Sequence, residues 1–303
     1  MNHTEFPPVP YAAPDAEAYD PGIYCRYSYT PDSLMSKRVM NDTSPTVFSI
    51  RKTKRQAIGL VLVSIIFFVG GSTYAQTKQT QHVNQIWTGY FNQTRFNNQW
   101  GVWADVHLRT KEDIVADLSQ GILRLGLTYY LKDDLKLTAG YAYVHHFPAE
   151  NHKNISQPEH RPWQQVQWHT RYPKLRLMQW LRLEERWRRK ILNDDALADN
   201  YSFNFRVRYN FFSQFPLSKK HFQPRTFSLV FNDEVHVNFG RQIINNYFDQ
   251  NRFFAGFAYH INKHDNFQFG YMNVFQQLPA GNRYRSNHVA RLFYFHNLDL
   301  RKH

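Results

Sequence analysis

From Gln76 to the C-terminus the sequence alternates apolar and polar residues in long runs with a period of two. Trp100, Val102, Ala104, Val106 and Leu108 alternate with Gly101, Trp103, Asp105, His107 and Arg109. Phe203, Phe205, Val207, Tyr209 and Phe211 alternate in the same way with Asn204, Arg206, Arg208 and Asn210. Successive side chains of a strand point to opposite faces, so each run makes a ribbon with one apolar and one polar face. Eleven segments carry the pattern, at about 84–94, 99–110, 119–130, 135–147, 162–172, 175–189, 201–212, 225–239, 251–261, 266–277 and 288–298. They match or exceed the roughly 9–11 residues with which a tilted strand crosses a bilayer, and they exceed the usual globular strand.

The connections alternate too. Phe96-Asn97-Asn98, Lys132-Asp133-Asp134, Tyr172-Pro173-Lys174 and Asn262-Lys263-His264-Asp265 are tight turns, whereas 111–118, 148–161, 190–200, 240–250 and 278–287 are longer and polar. The stretch 213–224, with Pro216 and Pro224, is long where a short turn is due. Short turns at one end and long loops at the other is the arrangement of bacterial outer-membrane barrels. The sequence therefore predicts an all-β fold, an antiparallel up-and-down transmembrane β-barrel of 10–12 strands. Single-chain bacterial barrels have even strand numbers. Twelve is the favoured count, with a further strand near 76–84; ten follows if one segment does not span.

A barrel also accommodates a composition that is otherwise awkward. The chain carries 19 Tyr, 25 Phe and 7 Trp, yet its mean hydropathy is -0.62. No run approaches the several stretches of about 20 apolar residues that a helical membrane protein needs. In a membrane barrel the rings cover the lipid-facing wall, and half of each strand is polar because it faces the inside. A soluble secreted or periplasmic β-barrel or sandwich is the alternative, with its apolar face turned inward. Gly101, Gly126, Gly140, Gly256 and Gly270 all sit on the charged face, where they are expected to make room for long Arg and Glu side chains in a narrow lumen.

Arg51, Lys52, Lys54 and Arg55 precede a 14-residue apolar stretch, Ala57 to Gly70, and Ser72-Thr73-Tyr74-Ala75 follows with small residues. This reads as a Sec-type signal peptide over 51–75, cleaved after Ala75; the run is too short for a membrane anchor. Residues 1–50 read as an unfolded extension or a misassigned start, with Met40 opening a more ordinary signal. The exported barrel domain is then 76–303, and its localisation is the cell outer membrane. Cys25 is the one cysteine and lies before the signal, so disulfides, thiolate metal sites and cysteine nucleophiles have no place in the exported chain. Net charge is +13, but the basic residues are scattered and form no nucleic-acid-binding pattern. The expected partners are outer-membrane lipid, the barrel-assembly machinery and a small anionic ligand, with the chain a monomer and with no metal and no cofactor.

The polar face collects Arg109, Arg124, Arg182, Glu184, Arg186, Arg206, Arg208, Glu234, His236 and Arg252. In a narrow barrel these meet across the lumen, and the planar guanidinium fork bridges carboxylates well. The expected result is a charge network that largely plugs the lumen; the other reading is an anion-binding or selectivity element, since arginine outnumbers carboxylate. No catalytic motif occurs in the chain. A rim site for a lipid or lipopolysaccharide hydrolase would draw on His145, His146 and His160, with Ser156 and Glu159 near them, but no catalytic residue is assigned and a non-enzymatic role in transport, binding or envelope structure is preferred.

Five motifs in order resemble one family: Pro158-Glu159-His160-Arg161-Pro162-Trp163-Gln164-Gln165, Leu181-Arg182-Leu183-Glu184-Glu185-Arg186-Trp187, Phe248-Asp249-Gln250-Asn251-Arg252-Phe253, Phe269-Gly270-Tyr271-Met272 and Asn287-His288-Val289. Over about 84–298 the chain is similar to domain-of-unknown-function family 2490. The resemblance implies an exported outer-membrane β-barrel of Gram-negative bacteria, common in Bacteroidetes, and it singles out Glu159, His160 and Arg161 as a loop motif. It implies no activity.

Overall fold

The structure is a computed structural model that describes residues 78–111, 117–149, 152–219 and 222–301. The expected signal peptide, the 1–50 extension and Cys25 lie outside the described residues.

Eleven strands follow one another: β1 (Gln79–Arg95), β2 (Trp100–Thr110), β3 (Leu118–Tyr130), β4 (Leu135–His146), β5 (Gln157–Tyr172), β6 (Leu175–Ile191), β7 (Leu197–Pro216), β8 (Thr226–Phe239), β9 (Phe248–His260), β10 (Asp265–Gln277) and β11 (Arg283–Asp299). Each pairs with its sequence neighbours, and β1 pairs with β11 to close a barrel. The expected all-β barrel is the observed fold, with one correction. The favoured twelve strands are eleven among the described residues, because residues 79–84 belong to β1 instead of forming another strand. An odd meander has a geometric consequence: its first and last strands run the same way. The β1–β11 seam is accordingly parallel, from Gln79↔Arg283 to Arg95↔Asp299, while every other pair is antiparallel. The 217–225 connection remains the long one among the turns, since β7 extends to Pro216.

Alternation decides the two faces. Leu123, Leu125 and Leu127 are 47%, 55% and 53% exposed on the outside, whereas Arg124 between them is 6% exposed inside. Aromatic pairs stand on the outer wall near both rims, Trp100–Tyr129 (4.9 Å) by the short turns and Trp187–Phe203 (4.3 Å) and Phe275–Tyr284 (5.2 Å) by the long loops. Glu185 and Asp233 interrupt the wall; Asp233 accepts a hydrogen bond from Asn251 (2.7 Å).

Four of the five glycines have a different use from the one expected. Gly126 stands opposite Gly140, and Gly256 opposite Gly270. What fills the space they leave is an aromatic ring: Trp163 over the first pair and Phe254 over the second. The arginines come one layer further in, with the Arg182 guanidinium 4.3 Å from the Trp163 ring and that of Arg291 4.0 Å from Phe254. Cation–π stacking of this kind disperses positive charge in a poorly hydrated interior.

β5 begins at Gln157, not at 162, so Glu159, His160 and Arg161 are strand residues rather than loop residues. The signal that hid them is the pair Pro158 and Pro162, which lack N–H groups and argue against a central strand. The sheet accommodates them by a gap. The β5–β6 ladder holds Glu159↔Arg188, His160↔Trp187 and then Trp163↔Glu184 in one unbroken register, leaving Arg161 and Pro162 without ladder partners on β6.

Candidate functional site

The barrel interior divides into two halves along its axis. Towards the long loops it is packed: Ile122, Val144, Glu159, His236, Asn238, Val274 and Val289 are each no more than 3% exposed. Strand alternation brings the charged side chains of β5 to β9 together here. Glu159 accepts hydrogen bonds from Arg161 Nε (2.5 Å), Arg186 Nε (2.7 Å) and Arg188 Nε (2.9 Å), with His146 Nε2 at 2.8 Å. Glu184 accepts from Arg206 Nε (2.9 Å) and Arg208 Nη1 (2.6 Å). Arg206 continues to Asp249 (2.9 Å), and Arg208 to Glu234 (2.7 Å), whose carboxylate lies 2.9 Å from His236 Nε2. These are charge-assisted bonds in a region with little water, so each is strong and each partner depends on the others.

Seen residue by residue, Arg186, Arg206, Glu184, Glu234 and His236 join this network directly, and Arg208 links it to the other half of the barrel. Arg124 belongs to a separate group on β2 and β3, where its Nη1 donates to both oxygens of Asp105 (3.0 and 2.9 Å); His107 (2.9 Å) and the Trp103 indole complete that carboxylate's shell. Arg109, Arg182 and Arg252 stand apart with few acceptors. Arg109 donates to Gln120 (2.9 Å) and Arg182 to Gln165 (2.8 Å), while Arg252 comes no closer than 3.6 Å to Glu234. Asp105, Asp249, Arg188 and Trp163 were not among the residues that the sequence assigned to the interior charge network. Asp105 shares the inward register of Arg109 and was legible on that ground; Asp249 was missed because a bulge between Phe248 and Gln250 turns it inward, against the alternation of β9.

Towards the short turns the interior opens into a cavity of about 730 Å³. Its mouth is formed by Asp133, Asn262, Lys263, His264 and Arg301, and its floor by Trp87, Arg109, Arg182, Arg208 and Arg252. Twelve arginines and lysines line it against four carboxylates. At the mouth Arg95 donates to Asp133 (2.6 Å), and that hydrogen bond holds the Asp133 carboxyl below its usual range. Nine aromatic side chains also line the cavity, Trp87, Trp103 and Trp180 among them. The interior is therefore not simply the polar face of the strands.

The histidines weighed for a rim site do not converge. His146 points inward to Glu159. His145 packs on Phe147 (4.8 Å), and His160 is bonded to the Tyr141 hydroxyl on the outer wall, beside Tyr143 and Tyr201. Of the Glu159, His160, Arg161 motif, Glu159 and Arg161 thus face in and His160 faces out. Among the described residues no group of three or more His, Cys, Asp or Glu side chains is arranged to hold a metal ion.

One family profile, described as "Protein of unknown function (DUF2490)", matches residues 84–285. No curated protein and no solved structure matches the chain.

Proposed function

The chain belongs to the DUF2490 family of unknown function, and on that premise we propose that it is a non-enzymatic outer-membrane β-barrel, closed towards the long loops and open towards the short turns. The observation that carries this reading is the inversion of faces: ion-paired arginines and carboxylates inside, leucines and aromatic rings exposed all round the outside. A soluble protein would leave that outer wall in contact with water, far beyond the few hundred Å² of contiguous apolar surface usual for monomers. In the lipid setting the long loops face outward from the cell, the short turns and the cavity face the periplasm, and the N-terminal signal and barrel-assembly machinery deliver the chain. It works as a monomer, since closure leaves no sheet edge to pair.

Transport by free diffusion does not fit an interior filled across half its length. Reconstituted in planar bilayers, the protein is expected to show no steady ohmic conductance at moderate voltage; a large, steady conductance would sink the closed-lumen reading. Fractionation together with heat-modifiable gel mobility tests the location. Recovery in the soluble periplasm without detergent would remove the membrane claim.

A further inference from the structure

The floor of the cavity that opens towards the short turns carries three arginines, each with a buried donor that has nothing to bind. Arg109 Nε, Arg182 Nη1 and Arg252 Nε are buried and lack a hydrogen-bond partner, and all three side chains line the cavity. Arg182 is only 2% exposed. The nearest carboxylates are already engaged. Glu184, 3.9 Å from Arg182, serves Arg206 and Arg208, and Glu234, 3.6 Å from Arg252, serves Arg208 and has His236 Nε2 at 2.9 Å. Arg109 has no carboxylate within ion-pairing distance among the described residues, and its one hydrogen-bond acceptor is the Gln120 amide. A buried cation without a counter-charge is costly, so this floor favours an anion.

The floor continues into an apolar wall. Arg109 and Arg252 both lie over the Trp87 ring, at 3.7 and 5.2 Å. Trp87 belongs to one buried cluster with Phe254 and Phe293, against which Phe91 and Phe295 pack. Phe91 stacks on Phe295 at 4.5 Å and meets Phe293 at 5.1 Å, and all three face the cavity on its way to the mouth. A lone oxyanion would satisfy the arginines and leave this wall wet; a neutral apolar molecule would do the reverse. At about 730 Å³ the cavity falls in the roughly 300–1,000 Å³ range of ligand pockets.

We propose that this cavity binds an organic anion with an apolar body, its carboxylate or equivalent head between Arg109 and Arg252 and its body along Phe91, Phe293 and Phe295. The ligand class deepens the binding role proposed above and rests on it. Entry is from the short-turn end, because the other half of the interior is filled.

The test is calorimetric titration of the purified full-length barrel in non-ionic detergent. Naphthalene-2-carboxylate supplies a flat body and decanoate, below its micelle concentration, a flexible one; 2-naphthylmethanol lacks the charge and sodium sulfate lacks the body. Saturable binding of at least one carboxylate is expected, with both controls at least ten-fold weaker, and which carboxylate binds better distinguishes an aromatic from an acyl source. Arg109→Gln is expected to weaken carboxylate binding ten-fold or more, and it strands no carboxylate. Should that variant not fold, Phe295→Ala asks the same of the wall, weakening the carboxylates and leaving sulfate unmoved. Absence of saturable carboxylate binding, equal binding of sulfate or the alcohol, or unchanged affinity in a folded variant would overturn the proposal. Heat-modifiable mobility read on the same samples separates the two ideas: a folded, membrane-extracted barrel that binds no carboxylate defeats this inference alone.

Discussion

Replacing Glu159 by alanine is expected to destabilise the barrel by about 3–5 kcal/mol, the usual effect of stripping one partner from a buried ion pair. Glu159 is 0% exposed and is the common acceptor for Arg161, Arg186 and Arg188, with His146 beside it. Without it, three guanidiniums face one another where water is scarce. Arg188, whose side chain is 36% exposed, has solvent to turn to; Arg161 and Arg186, at 7% and 10%, do not. The lost attraction is not the main term. The dominant one is the stranded charge, so Glu159→Leu combined with Arg186→Met is expected to recover part of the stability that Glu159→Leu alone loses. Urea unfolding in detergent, followed by heat-modifiable mobility, measures both. Glu185→Ala is the matched control, an acid on the neighbouring strand's outer register, expected to change stability by about 0.5 kcal/mol or less, as surface substitutions do. A Glu159→Ala barrel as stable as the Glu185→Ala barrel would mean that the loop-end interior is hydrated and open.

The eleven alternating segments became the eleven strands because a period of two is set by backbone geometry and needs no tertiary context. The inward registers of Arg182, Glu184, Arg206 and Arg208 were legible for the same reason. Three things were not. Closure parity depends on how the first strand meets the last, and no local pattern in residues 79–95 encodes a parallel partner 200 residues away. The start of β5 was masked by Pro158 and Pro162, whose local preference is overridden by pairing with β4 through His145↔Pro158 and Tyr141↔Pro162. The division of the interior into a packed half and a cavity also escaped the sequence. Alternation says that Trp103 and Arg109 point inward, but which inward side chains find partners is decided across the barrel, by strands far apart in the chain.

The glycine seats under Trp163 make the sharpest distinction between side-chain and backbone crowding. A methyl group on Gly140 would fall on the Leu125 carbonyl oxygen and lie 2.7 Å from Gly126 Cα and 2.9 Å from the Trp163 ring. Side chains can rotate away from such a contact, whereas the main chain of a closed barrel has no free edge along which to shift. Gly140→Ala is therefore expected at or beyond the upper end of the about 1–3 kcal/mol range for overpacking, with heat-modifiable barrel recovered in poor yield. A methyl on Gly126 meets only side-chain atoms, Trp163 at 2.9 and 3.1 Å and Thr138 Cγ2 at 3.0 Å. Trimming the ring with Trp163→Leu should then rescue Gly126→Ala and fail to rescue Gly140→Ala. Gly121→Ala, whose new methyl would find only Phe147 at 3.7 Å and Leu108 at 3.9 Å, is expected to be neutral within about 0.5 kcal/mol. Equal unfolding midpoints for Gly140→Ala and Gly121→Ala would contradict the close approach of β3 and β4. Rescue of Gly140→Ala by Trp163→Leu would instead place the obstruction in the ring. The same pair of results bears on the cavity floor, because Trp163 carries the Arg182 guanidinium on its face. A barrel that loses the ring but keeps the glycines should fold with Arg182 less firmly placed, so any carboxylate bound at the floor should be held more weakly while the strand pairing stays intact.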